Sequence, residues 1–208
     1  MDELESGLQD ISAIRAMMDR ASKFLSLSGL SGISAGVIAL AGSWAALRAM
    51  QESGAHIPLP GEAETGDAWL GRFLVADAIS VLILALACSI YFSVRMSRKK
   101  GYPLWGPTTV YLLAALMIPL AAGGAFCGVL LYHGIYSLLP AVMLLFYGLA
   151  LLNAGNFTFS EVRYLGIIDI LLGLTAGFHP AIGLILWAGG FGLLHIVYGI
   201  LLYAKYEK

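Results

Sequence analysis

Three ionisable residues stand inside apolar stretches of this chain: Asp77, Asp169 and His195. A charged side chain in the middle of a bilayer costs ~2.5–3.5 kcal/mol on insertion scales, so each needs a partner or a way to be neutral. Asp169 and His195 suit one another. A carboxylate and an imidazole can share a proton or a hydrogen bond. Counted by helix rise, they lie ~10 and ~13 Å in from the same end of two neighbouring apolar stretches. Two readings follow: a structural hydrogen bond, or a proton- or ion-responsive pair. Arg72 stands five residues before Asp77, and Arg163 six before Asp169. Those offsets turn each arginine away from the aspartate around a shared helix. Arg72, Glu161 and Arg163 are therefore read as interfacial residues.

Metal chemistry has a weaker basis. His56, His133 and His179 fall at one end of the apolar stretches, near Glu62, Glu64 and Asp67. Histidine and carboxylate are metal ligands, but this spacing matches no known metal motif. An interfacial role is the plainer reading, and no cofactor is expected. No CxxC, HExxH, GxSxG or Walker-type pattern occurs in the 208 residues. No nucleophile motif stands beside a histidine, so an enzyme is the less favoured reading.

The elements that must position these groups follow from composition. Hydrophobic residues make up 59% of the chain and charged ones 12%, about half the ~25% of a soluble protein. The solvent for such a chain is lipid. A net charge of −1 excludes a nucleic-acid binder acting through bulk charge. A spanning helix needs ~20 mostly apolar residues. Residues 28–50, 69–94, 106–132, 135–152 and 181–203 meet or approach that, and a shorter stretch, 162–178, carries Asp169. The expected fold is an all-α membrane protein, a bundle of six transmembrane helices. With both termini in the cytoplasm, ten of the twelve basic residues fall inside, Arg48 and Arg72 being the exceptions. The long loop around residues 51–68 is then outside.

Residues 1–24 read as a separate amphipathic helix, cytoplasmic or interfacial, ahead of a membrane domain over 25–208. Leu4, Ile11, Met18 and Leu25 recur every seven residues, with acidic groups early and basic groups late. Such a helix lies on the membrane surface or docks on a protein partner. Small-residue motifs predict close helix crossings at Gly32/Gly36, Gly124/Gly128 and Gly173/Gly177, and the chain is open to homo-oligomer formation. Pro119 and Pro140 are candidate kinks. Cys88 and Cys127 lie roughly 20 Å apart in depth, too far for a disulfide.

The chain also carries a partial internal echo. Arg72-Phe73-Leu74 precedes Asp77 as Arg163-Tyr164-Leu165 precedes Asp169. Each stretch leads through a proline-bearing turn (Pro103, Pro180) to an Ala-Gly-Gly triplet, at Ala122 and at Ala188. Two copies of three spans each would have to face opposite ways, as inverted repeats.

Two segments carry a resemblance: Ser22-Lys23-Phe24-Leu25-Ser26-Leu27-Ser28-Gly29-Leu30-Ser31-Gly32, and the stretch from Arg163-Tyr164-Leu165-Gly166 to Phe191-Gly192-Leu193-Leu194-His195-Ile196-Val197-Tyr198-Gly199. They resemble a family of small polytopic bacterial inner-membrane proteins of the Bacteroidetes type, with no established activity. The resemblance implies a bacterial inner membrane and carries over no catalytic residue. Three functions stay open. One is a small transporter or channel for an ion or solute, and another a membrane-embedded sensing module acting through partner proteins. The third is an intramembrane enzyme.

Overall fold

The computed structural model describes residues 28–54, 68–101 and 105–207. The expected helix over 1–24 lies outside the described residues. Within them the chain is 88% helix with no strand. The described residues form six helices: α1 (Gly29–Glu52), α2 (Ala68–Lys100), α3 (Pro107–Tyr132), α4 (Leu139–Ala154), α5 (Ser160–Phe178) and α6 (Pro180–Tyr206). Four of these, α1, α2, α3 and α6, are long and apolar enough to cross a membrane. α4 is apolar but has 16 residues, ~24 Å at the α-helical rise. α5 carries Glu161, Arg163 and Asp169 in its 19 residues.

Local chemistry sets the ends. α2 runs on past the apolar stretch to Lys100, and its last turn holds Arg98, Lys99 and Lys100, cations that complement the helix dipole. α3 opens on Pro107, whose missing N–H is no loss in a first turn. Pro140 likewise sits in the first turn of α4 and makes no mid-helix kink there. α3 closes on Gly134, which takes φ +73°. Its N–H donates to Leu131 O at 3.1 Å, and that of Ile135 to Leu130 O at 2.8 Å, the pairing that ends a helix on a left-handed glycine.

Successive helices run antiparallel. α1 lies along α6, where Gly29, Gly32 and Gly36 meet Gly199, His195 and Gly192 backbone to backbone. A Cβ added at Gly29 would stand 2.5 Å from the Tyr203 nitrogen. α4 lies along α5 in the same manner, Gly148 against Gly166 and Gly173 against Leu145. The expected crossings at Gly32/Gly36 and Gly173 are present. The one at Gly124/Gly128 is not, since both positions face open space and only Gly123 packs, on Phe146 of α4.

Large apolar side chains are exposed as well as buried, and some polar ones are wholly enclosed. Asp169, Thr158 and Ser28 are among the largest fully buried side chains, while Trp44, Ile83, Ile118 and Phe178 are exposed. Leu144, Leu202 and Trp187 are buried beside these small and polar groups. α2 packs on α1 but leaves nearly all its other faces exposed. One end of the bundle gathers Arg95, Lys100, Arg163 and Lys205. There Lys100 Nζ donates to the Tyr206 carbonyl at 2.6 Å, and the Gly29 N–H donates to Glu207.

Candidate functional site

The last helix changes pitch where it passes the bundle centre. α6 begins with a 3-10 turn (Pro180–Ile182) and an α segment (Gly183–Trp187). It widens into a π-helical stretch (Ala188–Leu194) and resumes as α over His195–Tyr206. Three glycines lie in the widened stretch, positions with the freest backbone. Single π turns frequently mark functional sites. Here the stretch leads directly to His195, whose ring turns back on its own helix.

His195 is 6% exposed. Its Nδ1 lies 2.8 Å from the Gly190 carbonyl, and its Nε2 lies 2.8 Å from the Tyr147 hydroxyl of α4. A carbonyl only accepts, so Nδ1 carries a proton and donates. In the neutral ring, Nε2 accepts from the Tyr147 O–H. In the imidazolium the direction reverses: Nε2–H donates to the Tyr147 oxygen, and the tyrosine proton is free to donate elsewhere. Phe191 packs beside both rings, centroid to centroid 4.7 Å from Tyr147 and 6.0 Å from His195.

Asp169 reaches the same centre from α5. It is 0% exposed, and neither carboxyl oxygen has a hydrogen-bond partner among the described residues. A Cβ built on Gly190 would stand 2.7 Å from Oδ1 and 2.4 Å from Leu144 Cδ2, so only glycine leaves room for the carboxyl group there. Asp169 and His195 are expected within hydrogen-bond or one-water distance; no direct bond joins them, since neither Asp169 oxygen has a partner among the described residues. Both ring nitrogens are occupied, and the two residues meet at Gly190 instead, His195 on its carbonyl and Asp169 on its α-carbon. The π stretch aimed the imidazole elsewhere.

The other candidate residues lie apart. Asp77 is half-buried against α1, where a Cβ at Gly42 would be 3.3 Å from its Oδ2. Arg72 is exposed in an open groove with Val75, Ile79, Leu131 and Tyr136. Arg163 donates to Asn156 Oδ1 at 2.7 Å. Glu161 accepts from Lys205 Nζ at 2.6 Å and from the Tyr206 hydroxyl at 3.2 Å. Burial works to raise the Glu161 carboxyl, but the Lys205 hydrogen bond and charge, its backbone amide and Ser160 outweigh it and hold it below the ordinary range. His133 and His179 cap different helices and are exposed, while His56 lies outside the described residues. Among the described residues no three His, Cys, Asp or Glu side chains gather to hold a metal. Cys88 and Cys127 are free thiols.

Tyr147 and Gly190 are the members that sequence reasoning missed. Tyr147 sits in an apolar run 48 residues from His195, and its only signal was a phenol where every neighbour is aliphatic or aromatic. No known protein family, curated protein or solved structure matches the chain.

Proposed function

We propose that this chain is a small transporter- or channel-like protein of a bacterial inner membrane, moving an ion or small solute, with Asp169 as its ion-linked residue. The carrying observation is the Asp169 carboxyl group, wholly buried with neither oxygen partnered among the described residues. A purely structural carboxylate at such a depth would be paired, because an unpaired one costs several kcal/mol. A group that binds and releases a small cation must be free to change partners. Closure around Asp169 corresponds to an occluded state, and release requires a second conformation. The experiment is flux into liposomes holding the full chain. Wild type should exceed empty liposomes, and Asp169→Asn should fall to the empty level. Equal flux from both would refute the assignment.

In this reading all six helices cross the bilayer with both termini in the cytoplasm. α4 supports this despite its length. α3 ends at one end of the bundle and α5 starts at the other, so α4 must run between them. The clustering of Arg95, Lys100, Arg163 and Lys205 at one end supports the orientation. An inverted duplication draws support from the packing. Exchanging α1, α2, α3 with α4, α5, α6 maps the α1–α2 contact onto α4–α5, and α1–α6 onto α4–α3. The symmetry is partial, since α5 packs on α6 while α2 and α3 barely touch. Labelling of Glu64→Cys from the cytoplasmic side alone would reverse the orientation. An experimental map in which the halves cannot be overlaid helix for helix would remove the duplication.

A further inference from the structure

We infer that the groove between α2 and α3 is a phospholipid site, in which the Arg72 guanidinium holds the lipid phosphate and an acyl chain lies along α2. This goes beyond the reading of Asp169 and does not depend on it.

The groove has a volume of about 660 Å³, within the ~300–1,000 Å³ of ligand sites. Arg72, Val75, Ala76 and Ile79 line one side of it. Steps of three, four and seven residues put them on a single face of α2. That stripe begins at a cation and continues for ~10 Å along the helix as apolar surface. Leu131, near the end of α3, lines the groove from the other side. Tyr136, from the connection between α3 and α4, stands against α2 at Gly71, where an added Cβ would lie 3.1 Å from the Tyr136 hydroxyl oxygen. The two long helices barely touch elsewhere, so the gap between them stays open.

Depth and charge select the occupant. Both α2 and α3 are long and apolar enough to cross a bilayer, and a groove between two such helices opens sideways onto lipid. Along α2 the rise from Arg72 to Arg95 is ~34 Å, close to the ~30 Å thickness of the hydrocarbon core. The two arginines thus stand at opposite headgroup levels, and the stripe below Arg72 stands at the level of the acyl chains. Arginine presents its N–H donors in a fork that matches two phosphate oxygens. Among the described residues no carboxylate lines the groove. Asp77, on the same helix, lies against α1 at Gly42. A free phosphate makes no use of the apolar stripe, and a neutral tail makes none of the guanidinium. A phospholipid uses both.

The test is native mass spectrometry of the full chain in detergent, titrated with dioleoyl phosphatidylglycerol. Dioleoylglycerol supplies the same chains without phosphate, and sodium phosphate the anion without chains. Wild type should bind its first phospholipid at least ~10-fold more tightly than either, the scale of a hydrogen bond to a charged group. Arg72→Gln removes the headgroup contact and Ala76→Phe fills the groove. Each should weaken that first binding by ~10-fold. Arg98→Gln removes an exposed cation at the other end of α2 and should leave it unchanged. First binding of wild-type strength in both groove variants, or a loss as large in Arg98→Gln, overturns the groove as the site. Dioleoylglycerol binding as tightly as the phospholipid overturns the role of the phosphate, and sodium phosphate binding as tightly overturns the lipid. A dimer that Ala76→Phe dissociates would overturn the proposal by making a second copy the occupant.

Discussion

Replacing Gly199 by alanine tests whether the α1–α6 crossing holds this bundle together. The new Cβ would lie 2.5 Å from the Gly29 carbonyl oxygen and 2.6 Å from the Ile33 nitrogen. Ordinary contact begins near 3.4 Å, so the helices must separate by about 0.9 Å. The obstacle is backbone and cannot rotate away. Overpacking of this kind costs ~1–3 kcal/mol, offset by the ~0.8–1 kcal/mol by which alanine exceeds glycine in a helix. Gly124→Ala is the matched control. It sits inside α3 with nothing within 4 Å of its Cβ among the described residues, so only the helix gain remains. At ~2–4 °C per kcal/mol for a chain of this size, Gly199→Ala should lower the midpoint by up to ~8 °C. Gly124→Ala should leave it unchanged or raise it by ~2–4 °C. Thermal unfolding in detergent, followed by tryptophan fluorescence, reads both. A Gly124→Ala loss equal to that of Gly199→Ala would show that the bundle packs differently or that α3 is covered.

Tyr147→Phe and His195→Ala should each destabilise the protein. Their double variant should lose less than the sum by ~0.5–1.5 kcal/mol, the worth of one hydrogen bond; strict additivity in thermal melts would show that the 2.8 Å contact is absent. Glu161 gives a pH dependence. Its carboxyl is held below the ordinary range, so its stabilising contribution is present above the unfolded-state pKa and is lost as pH falls through the folded value. Melts should therefore show wild type above Glu161→Gln at neutral pH and the two converging in acid, whereas a gap that widens in acid would reverse the sign.

The elements were legible in the sequence because hydropathy and length are enough to place a helix in lipid. The departures are local. α4 begins at Leu139 rather than near Ile135, because Gly134 and Ile135 are spent on closing α3. Hydropathy cannot separate an apolar turn from an apolar helix. The motif around Gly32 and the one around Gly124 are identical as patterns. Which of them packs depends on whether another helix arrives, and that is tertiary information. Asp169 and His195 were legible as polar residues without water. Their mutual geometry was not. It depends on a pitch change in α6 and on Tyr147, which offered no pattern to match.

The π stretch of α6 also governs how the helix is phased. Trp187 and His195 are eight residues apart, which on an even α-helical wheel separates them by about 80°. Absorbing one residue in a wide turn brings them to within about 20°. Trp187, Phe191 and His195 accordingly form one aromatic column, with centroids 4.9 and 6.0 Å apart. Everything after residue 194 inherits that phase, including Val197, Ile200 and Leu201, whose exposed faces belong to lipid. The number of residues between Ala188 and Leu194 is thus constrained as well as the identity of Gly190. Gly189 faces open space and tolerates a side chain, whereas losing that one residue would turn the remainder of the helix by about 100° and carry the imidazole off its column.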